Sequence, residues 1–144
     1  MTATISADLM AAYSATIVRI HGHNPVVLAM ADPVGTHDRW LAQSSKANAA
    51  VITAWNPFSE VQSQDLNEAD NAILLLAIEQ AQLMWVPARG SGPSSEWFED
   101  SFCVFDVPDA LLDEWLVTFR QNAAFRVRVG GQVELVWHRR FRRT

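Results

Sequence analysis

Apolar and polar positions along this chain alternate in short runs near its start. Residues 16–20 and 26–30 are β-branched or apolar, and residues 21–25 between them are rich in turn formers. This pattern predicts a strand, a turn and a strand. A short helix over 6–13 is predicted before them, and a second helix, capped by Thr36, after them. The N-terminal part is therefore expected to form a helix, a hairpin and a helix.

The clearest helical pattern begins after Ser63. Asp65 and Glu68 lie in its first turn, where the helix dipole favours acids. Apolar residues then recur at helical spacing and define the predicted buried face, which consists of Leu66, Ala69, Ile73, Leu74, Ala77, Ile78 and Ala81.

The order of elements in the middle of the chain indicates the fold class. Strands are predicted at 49–55, 83–86 and 98–105, and residues 87–96 between the last two are predicted to form a mobile loop. With a helix after Pro108 and a strand ending at residue 129, the order is β-α-β-β-α-β, the ferredoxin-like split βαβ pattern. The helix-hairpin-helix and the C-terminal strand of a final β-hairpin extend this α+β core.

The apolar residues of the final hairpin predict how its two strands pair. If residues 130–132 form a three-residue loop, Phe125 opposes Trp137, and Arg128 opposes Glu134 on the outer face.

Composition places the chain among ordinary globular proteins. Its 144 residues, 49% hydrophobic and 19% charged, suit one domain over 1–144 with a core at about 49–129. It is expected to fold alone or as a simple homo-oligomer. No secretory leader pattern and no membrane-spanning apolar run is evident, and the single cysteine, Cys103, fits a reducing compartment. These features favour a cytoplasmic location without membrane attachment.

Charge is distributed unevenly within the net total of −5. Residues 1–118 carry 4 basic and 15 acidic residues, whereas residues 119–144 carry seven arginines and one Glu. The Arg-rich end, including Arg139 to Arg143, is expected to pack on the acidic body or to stay solvated. Because it lacks an aromatic stacking platform, we do not expect sequence-specific binding to nucleic acid.

The predicted topology collects polar residues at one edge of the sheet. Strand ends, the start of the long helix and the end of the second helix meet there, and loops on a rigid sheet commonly carry binding groups. The N-terminus of the long helix also offers free N–H groups for an anion or a carbonyl oxygen. The predicted ligand-binding residues are Asn56, Ser59, Ser63, Asn67, Arg89, Trp97, Glu99, Ser101, Gln121 and Asn122.

Several motifs at this edge resemble a known family. They are residues 53–57 (Thr-Ala-Trp-Asn-Pro), Ser63 with Asn67, Trp97, residues 99–102 (Glu-Asp-Ser-Phe) and residues 121–123 (Gln-Asn-Ala). Together they resemble the bacterial family catalogued as domain of unknown function 3293, over about residues 50 to 125. The resemblance implies no known activity, but it implies that the signature residues of the family share this edge.

Signatures of known cofactor and metal sites are absent. The pair His21 and His23, with His37 further along, lacks a third ligand at regular spacing, so no metal is predicted. Cys103 lies within an apolar strand, where cysteine usually packs as a small hydrophobe. The chain contains no phosphate-binding loop, no nucleophile elbow and no dinucleotide fingerprint, so no cofactor is predicted.

Glu99 is the only candidate for acid or base chemistry, and its alternative role is to cap loop N–H groups or to pair with Arg89. Three function classes remain open. The first is a module that binds a small molecule or nucleotide at the polar edge. The second is an enzyme that uses Glu99, and the third is a protein interaction module that uses a sheet edge or the Arg-rich end.

Overall fold

Seven strands and four helices make up the part of the chain, residues 3–142, that our computed structural model describes. The helices are α1 (Ala7–Ser14), α2 (Asp38–Gln43), α3 (Gln64–Gln80) and α4 (Asp109–Thr118). The strands are β1 (Ile17–Ile20), β2 (Val26–Ala29), β3 (Asn48–Ile52), β4 (Trp85–Ser91), β5 (Phe98–Phe105), β6 (Ala123–Arg128) and β7 (Glu134–Trp137). Short 3-10 turns lie at Pro57–Ser59 and Arg139–Phe141.

All seven strands belong to one sheet in the order β2-β1-β4-β5-β3-β6-β7, and every neighbouring pair is antiparallel. The sheet is curled, so the segment after β2 reaches the β6–β7 loop. Gly35 N–H donates to the Gly131 carbonyl at 3.1 Å, and Gln132 Nε2 donates to the Asp32 carbonyl at 3.3 Å. The fold is therefore a mixed α/β domain built on a curled antiparallel sheet.

Apolar residues cover both faces of the sheet because successive strand side chains point to opposite sides. Ala50 and Val104 pack with α3 and α4 on one face. Val51 and Cys103 lie in the second cluster on the other face, with Val18 of β1 and Trp40 of α2. Central strands that are buried on both faces explain the nearly continuous apolar runs at 49–52 and 102–105.

The predicted buried face of α3 is confirmed for Leu74, Ala77, Ile78 and Ala81 and is wrong for Leu66, Ala69 and Ile73, which are exposed. Leu66 and Ile73 are 56% and 57% exposed, whereas Asn67 and Asn71 are buried beside Leu74. Asn71 Oδ1 accepts from Ala54 N–H at 2.8 Å, and its Nδ2 donates to the Asp100 carbonyl at 2.9 Å. These amide contacts with backbone outweigh the burial of Leu66 and Ile73.

The strand boundaries differ from the prediction at two places. Strand β3 ends at Ile52 because the next backbone groups bond side chains instead of a neighbouring strand, as with Ala54 and Asn71. Strand β4 continues to Ser91, so the first half of the predicted mobile loop 87–96 is sheet. The antiparallel register with β5, from Trp85 opposite Val104 to Ser91 opposite Phe98, holds it there.

Two smaller predictions are also wrong. Thr36 does not cap α2, because its hydroxyl donates to the Pro33 carbonyl at 2.6 Å and the N-cap residue is His37. In the last hairpin Phe125 opposes Leu135, not Trp137, so the register is shifted by two residues. The loop is longer because Gly130 N–H donates to Asp38 Oδ1 at 2.8 Å, which ties it to the start of α2.

No helix of residues 3–142 is both long enough and apolar enough to cross a membrane.

Candidate functional site

A short loop after β3 carries unusual backbone geometry. Asn56, Phe58 and Ser59 have φ values of 45°, 52° and 63°, in the left-handed region that non-glycine residues seldom occupy. Phe58 N–H donates to the Arg120 carbonyl at 2.6 Å, which ties the loop to the segment after α4. Such conformations persist only where surrounding contacts impose them, and they concentrate at functional sites.

Asn56 is the centre of a hydrogen-bonded network that fixes this loop on α3. Its N–H donates to Asn67 Oδ1 at 2.8 Å, and its own Oδ1 accepts from Asn67 Nδ2 at 3.0 Å and from Gln62 N–H at 3.1 Å. Gln62 Nε2 donates to Asn67 Oδ1 at 2.8 Å and to Asp70 Oδ2 at 2.9 Å. The remaining group of Asn56, its Nδ2, is thereby aimed away from α3.

That amide nitrogen contacts Glu99 on β5. Asn56 Nδ2 donates to Glu99 Oε2 at 3.0 Å. The Glu99 side chain is partly buried, and this burial raises the pKa of its carboxyl from 4.5 to about 7, although the Asn56 hydrogen bond acts in the opposite direction. The Glu99 carboxyl therefore changes between its protonated and its ionised form near neutral pH.

Glu99 faces an open cleft of about 250 Å³ between α1, the 56–61 segment and the start of β5. The polar residues on its walls are Tyr13, Thr16, Asn56, Ser59 and Glu99, and the apolar ones are Leu9, Ala12, Val61, Trp97 and Phe98. A predominantly apolar cleft with a few convergent polar groups is the usual form of a small-molecule site.

A smaller, more enclosed chamber of about 30 Å³ lies behind the cleft, in the interior of the curled sheet. Tyr13, Thr16, Trp97 and Glu99 line both spaces. The chamber is large enough for about one water molecule. Glu99 thus lies at the boundary between the cleft and the interior.

Tyr13 is the principal residue of this site that the sequence does not reveal. Burial raises the pKa of its phenol to about 12, while the Ser59 hydroxyl opposes the shift and the Glu99 charge adds to it. Its ring contacts Phe125 and Trp137, with centroids 6.1 and 5.3 Å apart. The only sequence signal for Tyr13 is its place near the end of a short helix.

Six of the ten residues of the predicted polar edge line the cleft or the chamber. Asn56, Ser59, Trp97 and Glu99 line the cleft. Ser101 and Gln121 line the inner chamber, and Gln121 Nε2 donates to the Trp55 carbonyl at 3.1 Å. The remaining contacts at this edge support the walls: Asn67 bonds Asn56, and Asn122 Nδ2 donates to Ser59 Oγ at 2.9 Å.

Arg89 and Ser63 lie apart from both spaces. Arg89 Nε donates to Asp100 Oδ1 at 2.9 Å, and its guanidinium lies 4.1 Å from the centroid of the Phe98 ring. Ser63 caps α3, since its Oγ accepts from Leu66 N–H at 3.3 Å. No residue of α3 is among the cleft-lining residues of the part of the chain that is described, so the helix N-terminus does not open into this cleft.

The cysteine and histidines lie in other surroundings. Cys103 is fully buried, and burial raises the pKa of its thiol. His37 Nε2 lies 2.8 Å from Asp32 Oδ2, whereas His21 and His23 are exposed. Between residues 3 and 142, no group of three or more His, Cys, Asp or Glu side chains is arranged to hold a metal ion.

The Arg-rich end packs partly against the body of the protein. The Arg140 guanidinium lies 3.8 Å from the centroid of the Phe58 ring, and Arg142 Nη2 lies 3.2 Å from Asp113 Oδ1. Arg143 lies outside the described residues. That this segment makes no sequence-specific contact with nucleic acid stays a prediction.

Comparison with known proteins identifies the family of the chain. No curated protein and no solved structure shows significant similarity to it. A family model described as "Protein of unknown function (DUF3293)" matches residues 52–124. The matched segment begins at the end of β3, ends in β6 and contains Asn56, Asn67, Glu99 and Gln121. The chain therefore belongs to the DUF3293 family.

Proposed function

We propose that this protein binds a small molecule in the cleft in front of Glu99, with an apolar body between Trp97, Phe98 and α1 and a polar group on the Glu99 carboxyl. One observation carries the proposal. A carboxyl with a pKa near neutrality lies on the wall of a largely apolar cleft, and within residues 3–142 its one side-chain hydrogen-bond partner is the Asn56 amide. An ionised carboxylate has about four acceptor positions, so Glu99 retains capacity for a ligand.

Other residues fill the two structural roles that would otherwise explain Glu99, which are to cap loop N–H groups and to pair with Arg89. Arg89, its candidate partner, is paired with Asp100. The loop N–H of Gln62 is satisfied by Asn56 Oδ1, and that of Asn56 by Asn67 Oδ1. Glu99 is therefore not needed as a cap or as an ion-pair partner, which supports a role toward a ligand.

An NMR screen tests this proposal. Backbone amide shifts of the isotope-labelled protein are followed while small cationic, neutral and anionic fragments are added one at a time. We expect at least one fragment to move the amides of Tyr13, Trp97, Phe98 and Glu99 together, since these residues share the cleft. Binding should weaken in Glu99→Gln and persist in Glu79→Gln, which changes an exposed carboxyl at the end of α3.

Shifts that map elsewhere, or a screen in which no fragment moves the cleft amides, would contradict the proposal.

A second function is favoured by the same carboxyl. A general acid or base works best when its pKa lies near the operating pH, as that of Glu99 does at about 7. In this alternative Glu99 exchanges a proton with a substrate held in the cleft, and Asn56 orients the carboxyl through its 3.0 Å hydrogen bond. A substrate that Glu99→Gln still binds but no longer converts would identify this role.

We also infer that the core is a ferredoxin-like split βαβ unit. Support comes from the strand order β4-β5-β3-β6, in which β5 lies between β3 and β4. Helix α3 connects β3 to β4, α4 connects β5 to β6, and both helices pack on the same face of the sheet.

A further inference from the structure

Glu99 is an acid without a cationic neighbour. Six salt bridges form among residues 3–142, and none of them involves Glu99. Charged groups that leave water are normally paired, because an unpaired charge loses its hydration without compensation. The protein thus leaves the ionised form of this carboxyl without a counter-charge.

Glu99 is the one carboxylate among the described residues that line the cleft. In the part of the chain that the structure describes, no Arg, Lys or His side chain lines either the cleft or the chamber behind it. Three aromatic side chains, Tyr13, Trp97 and Phe98, lie on the walls of the cleft. Aromatic faces attract cations, most strongly where water is partly excluded, and one face of Phe98 is already covered by the Arg89 guanidinium.

We infer that the cleft selects an organic cation, an ammonium group on an apolar body, which places its charge on the Glu99 carboxylate and its body among Trp97, Phe98 and Tyr13. This inference rests on the proposed function and specifies its ligand class. Charge complementarity carries it: a cationic ligand supplies the missing counter-charge, whereas an anionic ligand meets repulsion from Glu99 with no compensating base on the walls. The volume of about 250 Å³ accommodates a molecule of the size of an arylalkylamine.

Near neutral pH, Glu99 is the group on the cleft walls whose protonation changes. On α1, Tyr13 has a pKa of about 12 and stays neutral. On the adjoining strand pair, Arg89 is compensated by Asp100 at 2.9 Å. Asp70 accepts from Gln62 Nε2 at 2.9 Å, and Arg140 packs on Phe58 and donates to Asn122, although its charge also acts on the Tyr13 phenol.

Three probes with the same phenyl body test the inference by calorimetry: phenethylamine, phenylethanol and phenylpropionate. We expect phenethylamine to bind more tightly than either other probe at pH 8.5. Because the cation binds the ionised carboxylate, a pKa of about 7 predicts affinity about 30-fold higher at pH 8.5 than at pH 5.5. Phenylethanol should show no such gain with pH.

Two variants test whether Glu99 is responsible for phenethylamine binding and for its pH dependence. Glu99→Gln keeps the shape and an acceptor for Asn56 but removes the charge, so phenethylamine binding should fall at least tenfold and lose its pH dependence. Glu79→Gln, far along α3, should leave both unchanged. Thermal unfolding of each variant verifies that it is folded.

The failure of this inference is distinct from that of the proposed function. Tighter binding of phenylethanol or phenylpropionate in the cleft, or phenethylamine binding that Glu99→Gln leaves intact, overturns the cation inference and leaves a ligand-binding cleft. Absence of binding by all three probes also overturns it. The cation inference and the proposed function are overturned together only if no fragment in the NMR screen moves the amides of the cleft.

Discussion

Asn56 shows how one side chain joins the strained loop, α3 and the candidate acid. Its backbone N–H donates to Asn67, its side-chain Oδ1 accepts from Gln62 N–H, and its Nδ2 donates to Glu99. The left-handed backbone at this position is one that asparagine tolerates better than most residues. The same residue therefore serves both the stability of the loop and the geometry of the site.

Replacing Asn56 should separate these two contributions. Asn56→Ala leaves the Gln62 N–H and the Asn67 amide without their acceptor and puts alanine at a positive φ that asparagine tolerates better, so we expect a loss of about 2 to 4 kcal/mol in the free energy of unfolding. Asn56→Gly loses the same bonds without the backbone penalty and should be less destabilising by about 1 kcal/mol. Urea denaturation measures both, and equal losses would show that the φ value contributes nothing.

At the scale of elements, α3 is held by both polar and apolar contacts. Its inward face combines Asn67 and Asn71 with Leu74 and Ile78, and its outward face retains Leu66 and Ile73. The two asparagines connect the helix to the ends of β3 and β5, so the helix position also determines the position of the 53–56 segment.

A matched pair of truncations tests this orientation. Leu74 is 0% exposed and Ile73 is 57% exposed, although both belong to the stripe expected to be buried. Leu74→Ala should cost about 2 to 5 kcal/mol through lost burial and a cavity. Ile73→Ala should stay within about 0.5 kcal/mol of the parent. Chemical denaturation gives both values, and a large loss for Ile73→Ala would mean that its face is covered.

These elements show what can be predicted from the sequence. The position of α3 can be predicted because it depends on the local spacing of apolar residues. The proximity of Asn56 and Glu99 can be predicted because it depends on the order and direction of the strands. Spacing cannot show that buried amides bind backbone groups of distant strands, as Asn71 does with Ala54 and Asp100. The contribution of Tyr13 depends on the curl of the sheet, which brings α1 over Phe125 and has no local signature.

The same long-range packing buries Arg126. This side chain is 0% exposed, although Arg126 and Arg128 flank Val127 as two charged residues of β6. Its guanidinium donates to Asn48 Oδ1 at 2.5 Å and to the Val107 carbonyl at 3.0 Å. Its Nη2 also lies 3.1 Å from Asp109 Oδ1, so buried Arg126 has backbone, amide and carboxylate partners, whereas Glu99 at the cleft has no cationic partner among residues 3–142.

For the molecule as a whole, Glu99 makes stability depend on pH. Its pKa is about 7 in the folded protein and close to its ordinary 4.5 when unfolded, so the folded state binds more protons between these values. Stability should therefore fall as pH rises from about 5 to 8, by about 2 to 3 kcal/mol from this group.

The Glu99→Gln variant removes this contribution. We expect its free energy of unfolding, measured in urea at pH 5, 6, 7 and 8, to rise relative to that of the parent as pH increases. Glu79→Gln should follow the parent at every pH, and contributions from other groups cancel in the comparison. Parallel curves for Glu99→Gln and the parent would show that the carboxyl titrates as in water.

Helix α1 forms one wall of the cleft, yet only its Leu9 and Tyr13 are partly buried and its other residues are exposed. An element that buries so little opens locally at a small fraction of the cost of global unfolding. Its amides should consequently exchange with solvent far faster than those of β3 or β5. This wall of the cleft should therefore open and close while the sheet that positions Glu99 stays intact. A ligand that contacts Leu9 and Tyr13 should slow the hydrogen exchange of the α1 amides.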